Sequence, residues 1–414
     1  MNKIMFKNLA SFATNTGEKA KGGKSMGEIT EIIDPIVLVH EGKIFYAGDK
    51  SILNEINEEE YKVIDGKGKT LLPGFVDPHT HLIFGGTRED EFSMRLRGET
   101  YMSIMEKGGG IKNTVRDTKK ASLQDLTSLG IKRVKAMAEN GVTTVEAKSG
   151  YGLDSETELK QLYAVKNINK ENIIEVVSTF MGAHDIPDKY KGKNKEYLDF
   201  LLDELTPIIL EENLAEFADI FTEKNVFSVD ESRYYLKKSK EMGLNIKIHA
   251  DEINDLGGAS LAGELFATSA DHLLKASNEG LLKMKESGVI PVLLPLTAFS
   301  LKEDYARGRE MIDMGLAVAL GTDFNPGSSF SYSMPLMLAL GAINMGLSPE
   351  ETLTAVTLNS AAALNRSHRI GTIEKGKDAD LILIDAPSYE FLTYHFGINQ
   401  VVLTMKKGKI IYRK

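Results

Sequence analysis

Short apolar runs alternate with helical periodicities through the middle of this 414-residue chain. Nearly uninterrupted apolar runs are typical of strands buried on both faces, whereas apolar residues spaced three and four apart are typical of helices that cover a sheet. Their alternation predicts a parallel sheet with helices packed on it. Helices are expected at residues 127–140, 230–242 and 349–364. Strands are expected at residues 71–77, 142–148, 173–180, 217–222, 245–249, 268–272, 288–294 and 316–321.

Eight parallel strands over this length predict an α/β fold, a (β/α)8 TIM-like barrel assigned to residues 71–370. The active site of such a barrel lies at the carboxyl ends of its strands. The strand count is open by one, because the sixth run is short and the seventh contains Pro291, with Pro295 directly after it.

The two ends of the chain show another pattern, short β-type runs divided by tight turns. We expect residues 1–70 and 371–414 to pair into one small discontinuous β-sandwich-like module, with two unrelated edge hairpins as the alternative. The segment 15–28, which is rich in glycine and lysine, is expected to be a mobile loop. Hairpins are expected from the runs 35–40, 43–48, 401–405 and 407–412.

Composition narrows the class of protein. The net charge of −9 argues against a nucleic-acid partner. The absence of cysteine excludes disulfides and cysteine-rich zinc folds. Hydrophobic residues at 42% and charged residues at 26% are ordinary for a globular enzyme. Neither a targeting segment nor an apolar run long enough to span a membrane is evident, so we expect a soluble cytoplasmic protein without a membrane partner.

Metal-binding side chains fall where the predicted strands end. His79 and His81 follow the first strand, His249 ends the fifth, and Asp323 follows the eighth. His79 and His81 are one residue apart, so both side chains point to one face of an extended segment. Imidazole and carboxylate ligands suit zinc or iron, and such a set leaves a position for water. These residues therefore predict one Zn²⁺ or Fe ion per chain, with a surface loop as the alternative for His79 and His81.

Two further strand-end residues are candidates for proton transfer. Glu252 lies three residues beyond His249 and is interpreted as a general base, or alternatively as the partner that orients a ligand. His272, after the sixth strand, is placed to polarise a carbonyl group. Lys148 suggests a carbamylated lysine bridging two metals, but an ion pair with Glu146 is favoured because both lie on one strand.

These motifs resemble the amidohydrolase superfamily over almost the whole chain. Within it, they are similar to the group that opens a cyclic amide ring in histidine degradation. The metal motif is shared by many deaminases, whereas Arg88, Tyr151, His184 and the Asn325-Pro326-Gly327 run are more specific. The matching stretches are Phe84-Gly85-Gly86-Thr87-Arg88, Gly108-Gly109-Gly110-Ile111, Glu146-Ala147-Lys148-Ser149-Gly150-Tyr151-Gly152, Thr179-Phe180-Met181-Gly182-Ala183-His184 and Gly321-Thr322-Asp323-Phe324-Asn325-Pro326-Gly327-Ser328.

The resemblance implies metal-dependent hydrolysis of 4-imidazolone-5-propanoate to N-formimidoyl-L-glutamate, and it suggests a homodimer. Glu252, His272 and Asp323 would be catalytic, with Asp323 also relaying a proton to the leaving nitrogen. The metal would be held by His79, His81, His249 and Asp323. The implied substrate-binding residues are Arg88, Tyr151, His184, Glu252, Asn325, Gly327 and Ser328.

Arg88 is the residue that best distinguishes this function from the alternative functions. Its guanidinium has the fork geometry that binds a carboxylate, and the propanoate tail supplies one. A deaminase of a heterocyclic base such as guanine or cytosine would use the same metal site but would give Arg88 no carboxylate. The structural alternative for Arg88 is a surface pair with Glu89 or Asp90. A barrel that serves only as a non-catalytic scaffold is a third possibility, disfavoured because no ligand is missing.

Overall fold

The structure is a computed structural model that describes residues 3–99, 103 and 109–414. Gly108, which begins one of the glycine-rich motifs, lies outside the described residues. In the described part of the chain, none of the helices is long and apolar enough to cross a membrane.

The strands alternate with helices through the middle of the chain and dominate both ends. In chain order the strands are β1 Lys3–Lys7, β2 Ser11–Thr14, β3 Thr30–Ile33, β4 Ile36–His40, β5 Lys43–Gly48, β6 Lys62–Asp65, β7 Thr70–Pro73, β8 Phe75–Asp77, β9 Val142–Lys148, β10 Glu175–Ala183, β11 Phe217–Thr222, β12 Asn245–Ala250, β13 Ser269–His272, β14 Ile290–Leu293, β15 Ala319–Leu320, β16 Leu381–Ile384, β17 Val401–Lys406 and β18 Lys409–Arg413.

The α-helices of the described residues are α1 Glu89–Leu96, α2 Ile111–Lys120, α3 Leu123–Glu139, α4 Ser155–Lys170, α5 Asn194–Phe200, α6 Thr206–Glu211, α7 Val229–Met242, α8 Gly258–Leu265, α9 Asn278–Ser287, α10 Pro295–Leu301, α11 Gly308–Asp313, α12 Met334–Ile343, α13 Pro349–Val356, α14 Leu358–Ala363 and α15 Phe391–Tyr394. Several begin at a capping serine; Ser122, Ser228 and Ser348 each form a capping box with the acidic residue three positions later.

Eight parallel strands form the predicted barrel, in the order β15-β14-β13-β12-β11-β10-β9-β8. The segments after the first and last strands close it, because the His81 N–H donates to Phe324 O at 2.9 Å and the Asp323 N–H donates to His79 O at 3.0 Å. The closure brings the segment containing His79 and His81 directly beside Asp323. The predicted strands 142–148 and 217–222 agree with β9 and β11 at both ends.

The run 71–77 is the main departure from the predicted strands. It is divided at Gly74 into β7, which pairs with β16 and β2, and β8, which begins the barrel. A Cβ on residue 74 would overlap the Thr143 side chain, so only glycine lets the chain cross from one sheet to the other there. The predicted strand 316–321 shortens to β15, and the predicted helix 349–364 breaks at Thr357 into α13 and α14.

Both chain ends contribute to one sheet, as predicted. The six-stranded sheet has the order β18-β17-β16-β7-β2-β3, and a four-stranded sheet β5-β4-β1-β6 packs with it around shared apolar residues such as Phe6, Val37 and Leu403. The β4–β5 and β17–β18 hairpins meet at their turns, where a Cβ on Gly408 would lie 2.9 Å from Gly42 Cα. The division at residues 1–70 and 371–414 stays a prediction, and β7 pairs within the end-derived sheet.

The segment 15–28 is not the open loop that its composition indicates. Met26 is fully buried, and its carbonyl accepts a hydrogen bond from Thr354 Oγ1 on α13. The Lys21 N–H donates to Asn359 Oδ1 on α14 at 2.8 Å. The segment therefore packs against the barrel helices, which its composition could not show because composition does not identify the surface that a segment contacts.

Candidate metal centre and substrate site

Four histidines and one aspartate meet where the barrel strands end. His79 and His81 follow β8, His249 lies near the end of β12, His272 ends β13, and Asp323 follows β15. All five side chains are buried. The ring centre of His79 lies 5.5 Å from that of His81, 4.7 Å from that of His249 and 5.4 Å from that of His272. The strand-end residues thus converge on one point.

The donor atoms of this cluster are close enough to share a cation. His79 Nε2 lies 3.5 Å and His81 Nε2 lies 3.8 Å from Asp323 Oδ1. The donors of His79, His81 and Asp323 lie within 4.8 Å of one another, as do those of His79, His249 and His272. Among the described residues, the buried Nε2 atoms of His79 and His249 have no hydrogen-bond partner. Unpaired buried nitrogens of this kind fit a transition-metal ion.

The histidines are held in the neutral form that binds metals. Burial, together with the positive charge of Lys148, keeps the pKa of His79 and of His249 well below the usual value. Burial and the neighbouring His184 ring act in the same direction on the pKa of His81. Neutral imidazole leaves a ring nitrogen free as a ligand.

Two carboxylates lie behind the histidine rings. His79 Nδ1 hydrogen-bonds to Asp271 Oδ2 at 2.6 Å, which leaves its Nε2 facing the cluster. His249 Nδ1 lies 3.0 Å from Asp219 Oδ2, in a contact whose angle falls short of a hydrogen bond. Carboxylates in this position orient a ligand histidine and raise its basicity.

Two lysines are buried among these carboxylates inside the barrel. Lys148 Nζ lies 2.7 Å from Asp219 Oδ2, 2.9 Å from Glu146 Oε2 and 3.2 Å from Asp271 Oδ2. Lys247 Nζ lies 2.9 Å from Glu146 Oε1. The predicted ion pair between Lys148 and Glu146 is present and extends to two more carboxylates. Burial alone would lower the pKa of Lys148, but these three carboxylates raise it above its usual value.

Glu252 and His272 lie together at the edge of the cluster. Glu252 Oε1 is 3.5 Å from His272 Nδ1. Burial and the negative charges of Asp323, Glu223 and Glu303 raise the pKa of Glu252 to about 8, while burial lowers the pKa of His272 to about 4. An acid that titrates near neutrality beside a neutral imidazole suits proton transfer.

Asp323 is held in a strained conformation between two elements. Its φ of 50° lies in the left-handed region, and Thr297 Oγ1 donates to its Oδ2 at 2.6 Å. Burial raises the pKa of Asp323 to about 7. His272 also has a positive φ, 74°. Backbone strain of this kind clusters at functional sites, where it directs a side chain.

The predicted substrate residue Arg88 lies at the start of α1. Its Nε and Nη2 both donate to Glu91 Oε2, at 2.9 and 2.7 Å. The ion pair considered with Glu89 or Asp90 is thus made with Glu91 instead, one turn along the helix. Arg88 Nη1 lies against Gly327, where any Cβ would overlap it. Glycine at 327 is therefore needed for the guanidinium to approach.

One turn connects Arg88 to the histidine–aspartate cluster. Asn325 Oδ1 accepts hydrogen bonds from the N–H groups of Gly327 and Ser328, both at 2.8 Å, and Asn325 Nδ2 donates to Asp323 O at 2.7 Å. Ser328 Oγ is 3.5 Å from Asp323 Oδ2. The Asn325-Gly327-Ser328 turn thus spans the distance from the cluster to the arginine.

Tyr151 and His184 border the cluster beside His81. The His184 ring is stacked on His81 with centres 4.8 Å apart, and the Tyr151 ring lies 5.6 Å from His81 and 5.3 Å from His184. His184 Nδ1 is 3.1 Å from Gly150 O. Every substrate-site residue singled out from the sequence therefore lies in this one region.

Comparison with known proteins gives the family. The amidohydrolase family model matches residues 70–411. The chain belongs to the amidohydrolase family. Imidazolonepropionase of Clostridium tetani is 52% identical to this amidohydrolase over 412 residues, covering 99% of the chain and 98% of that relative.

Solved structures agree on the fold. A variant of triazine hydrolase has a TM-score of 0.76 and 17% identity, covering 100% of this amidohydrolase and 95% of that chain. The Escherichia coli guanine deaminase has a TM-score of 0.75 and 15% identity, covering both chains completely. At such identities the likeness shows the fold alone.

Some buried polar residues of this amidohydrolase lie around the histidine–aspartate cluster but are not among the predicted site residues. Asp219 and Lys247 were not singled out, although each is a charged residue inside a buried, otherwise apolar strand. The signal is their spacing: Lys247 and His249 are two residues apart, as are Glu146 and Lys148, so each pair points into the barrel. Glu91 was missed because α1 was not predicted.

Proposed function

We propose that this amidohydrolase catalyses the imidazolonepropionase reaction, the ring-opening hydrolysis of 4-imidazolone-5-propanoate to N-formimidoyl-L-glutamate in histidine degradation. The observation that carries the proposal is that one turn, from Asp323 to Ser328, joins the histidine–aspartate cluster to Arg88. In a cyclic amide with a carboxylate tail, the ring amide would meet the metal site and the carboxylate would meet Arg88. Identity of 52% to an imidazolonepropionase over its full length supports the same reaction.

The proposed metal site consists of His79, His81, His249 and Asp323. Their buried, neutral rings and orphaned nitrogens fit a single Zn²⁺ or Fe ion. Such an ion acts as a Lewis acid and lowers the pKa of a water bound to it to about 7. Lys148 forms ion pairs with three carboxylates, which supports one metal rather than two bridged by a modified lysine.

Substrate recognition is assigned to residues around the cluster. Arg88 binds the propanoate carboxylate through Nη1, because Glu91 holds its other two donor atoms and fixes the plane of the guanidinium. The turn residues Asn325, Gly327 and Ser328 lie beside that carboxylate. Tyr151 and His184, which lie against His81, flank the imidazolone ring.

Proton transfer is assigned to Glu252 and Asp323, and stabilisation of the carbonyl oxygen to His272. Glu252 accepts the proton that the attacking water loses as it adds to the ring carbonyl carbon. Neutral His272 donates a hydrogen bond to the carbonyl oxygen. Asp323 takes the remaining proton of the added hydroxyl group and passes it to the ring nitrogen as the carbon–nitrogen bond breaks. Glu252 then releases its proton to solvent, so the products are a carboxylate and the formimidoyl nitrogen.

One experiment tests the whole proposal. The purified protein is analysed for metal, and the same sample is assayed with 4-imidazolone-5-propanoate and, separately, with guanine and cytosine. We expect about one metal ion per chain and ring opening of the imidazolone only. Release of ammonia from a base, without ring opening, would replace this proposal with the deaminase alternative. Absence of both activities in metal-loaded protein would favour the scaffold.

A homodimer and a cytoplasmic location stay predictions from the resemblance and from composition. A sedimentation measurement of mass in solution and cell fractionation test them separately from the reaction.

A further inference from the structure

We infer that Lys148 is a positioning residue for the metal centre: its ammonium group fixes the two carboxylates that orient the rings of His79 and His249. The inference rests on the proposed metal site but concerns a residue that coordinates nothing itself. It assigns a role to an unusual feature, a lysine with no exposed side-chain surface in the interior of the barrel.

The geometry links both rings to the same ammonium group. Asp271 Oδ2 faces His79 Nδ1 at 2.6 Å and Lys148 Nζ at 3.2 Å. Asp219 Oδ2 faces His249 Nδ1 at 3.0 Å and Lys148 Nζ at 2.7 Å. In each case a single carboxylate oxygen lies between the lysine and a histidine. Lys148 is therefore the common partner that sets the separation of the two orienting groups.

The same residue also fixes the chain that carries the first two histidines. The Lys148 N–H donates to Thr80 O at 2.9 Å, and Thr80 Oγ1 donates to Glu146 O at 2.5 Å. Thr80 is the residue between His79 and His81. The end of β9 therefore holds this segment by its backbone and holds the orienting carboxylates by its side chain.

Electrostatics explains why a cation is needed at this position. Asp219, Asp271 and Glu146 are fully buried carboxylates whose mutual repulsion is poorly screened. A buried carboxylate left without its partner is costly, so the group rotates or moves toward another donor. Without Lys148, the two aspartates lose the constraint that aims His79 and His249.

Lys247 provides a matched comparison in the same chain. It is also fully buried and pairs with Glu146, at 2.9 Å, and its Nζ lies 3.4 Å from Pro78 O. It acts on the orienting carboxylates Asp219 and Asp271 through its charge alone, since within the described residues it forms no ion pair with either. Replacing Lys247 removes a buried positive charge a short distance away while leaving the contacts of Lys148 with Asp219 and Asp271 intact.

The test measures metal affinity rather than activity. Full-length wild type, Lys148→Met and Lys247→Met are loaded with Co²⁺, and the metal is competed away with a chelator series at one fixed pH. We expect Lys148→Met to bind Co²⁺ about 10- to 100-fold more weakly, the usual effect of losing a group that supports a ligand. Lys247→Met should change the affinity less than about threefold by the same reasoning. The visible Co²⁺ absorption bands should shift in Lys148→Met and stay unchanged in Lys247→Met, because only the first alters the ligand geometry.

A double-mutant cycle distinguishes positioning from general loss of stability. If Lys148 acts through Asp271, Asp271→Asn should weaken Co²⁺ binding by itself and add little to Lys148→Met. Should Lys148→Met fail to fold by circular dichroism, Lys148→Gln replaces it, since its amide can still donate to one aspartate. Equal losses of affinity in Lys148→Met and Lys247→Met, or unchanged affinity in both, would overturn the inference. A wild-type protein that binds no Co²⁺ would instead overturn the proposed function.

Discussion

The two ends of the barrel each contain a network of charged side chains, buried at the carboxyl end and partly exposed at the amino end, and the networks differ in whether they are complete. At the carboxyl ends of the strands, Lys148 is surrounded by three carboxylates with no exposed side-chain surface. At the amino end of β10, Glu175 is surrounded instead by cations. Its carboxylate contacts Arg366 at 2.8 Å, Lys406 at 3.4 Å and also Arg369.

The difference lies in the atoms left without partners. Around Lys148, the described residues include buried Nε2 atoms of His79 and His249 that have no hydrogen-bond partner. In the described part of the chain, the Glu175 side chain has no such orphaned atom. Because an unpaired buried polar atom is costly, the carboxyl-end network is complete only with a ligand, whereas the amino-end network is complete by itself.

The amino-end network has a structural consequence. Arg366 and Arg369 follow α14, and Lys406 ends β17 in the end-derived sheet, so Glu175 ties the barrel to that sheet. In this architecture, active sites lie at the carboxyl ends of the barrel strands and stabilising contacts at the amino ends. Variants at the two ends should separate loss of activity from loss of stability.

The largest effect is expected at Glu252. Glu252→Gln removes the proposed base and should lower kcat roughly 10²- to 10⁴-fold, the usual size of a general-base contribution. Metal content and circular dichroism should match the wild type. Glu303→Gln is the matched control, since Glu303 is exposed and acts on Glu252 only through its charge, and it should change kcat less than about twofold. Loss of metal along with activity in Glu252→Gln would make Glu252 a ligand or the support of one.

Arg88 should show the next largest effect and tests the substrate. Removing a charge-assisted hydrogen bond costs roughly 1.5–3 kcal/mol, so Arg88→Met should lower kcat/KM about 10- to 150-fold on the propanoate substrate. Arg88→Lys should recover part of the loss, because it keeps the charge without the fork. On an analogue without the carboxylate, wild type and Arg88→Met should perform about equally poorly. The same loss on both substrates would mean that Arg88 only supports Glu91.

The sequence could predict the carboxyl end better than the amino end. His79, His81, His249 and Asp323 lie at the ends of apolar runs, and a buried strand fixes the direction of the residues at its end, so their convergence was foreseeable. The partners that complete either network come from distant parts of the chain. Glu175 meets Arg366 across 191 residues, and no local pattern predicts that pairing.

Two other differences between the predicted and the observed structure have local causes. Residues 71–77 are predicted as one strand, because only the overlap with Thr143 shows that the chain changes sheets at Gly74. Arg88 was matched with its immediate neighbours, but it begins α1, and residues three apart on a helix face each other. A prediction of α1 would have pointed to Glu91.

A smaller effect, on stability alone, is expected at Glu175. Glu175→Gln leaves Arg366, Arg369 and Lys406 without their shared acceptor, and because these are partly exposed we expect a loss of about 1–3 kcal/mol in the free energy of unfolding. Metal content and kcat should be unchanged. Glu216→Gln is the matched control. Glu216 contacts Arg366 at 2.5 Å but is half-exposed, so its replacement should lower the free energy of unfolding by less than about 1 kcal/mol. A fall in kcat in Glu175→Gln would show that the two ends are coupled.

The smallest effect is expected in the pH dependence of the difference in unfolding free energy between wild type and Glu175→Gln. Burial alone would raise the pKa of Glu175, but Lys406, Arg369 and Arg366 lower it to about 2. In the unfolded chain a glutamate titrates near pH 4.3. The stabilisation is therefore fully present above that pH and is lost as the pH falls from about 4.3 toward 2. The difference in unfolding free energy between wild type and Glu175→Gln should be constant from pH 7 to about 5.5 and should narrow at pH 4, as measured by urea unfolding. A difference that widens on acidification would mean that the cations do not stabilise the ionised carboxylate, and the contrast between the two ends of the barrel would fail.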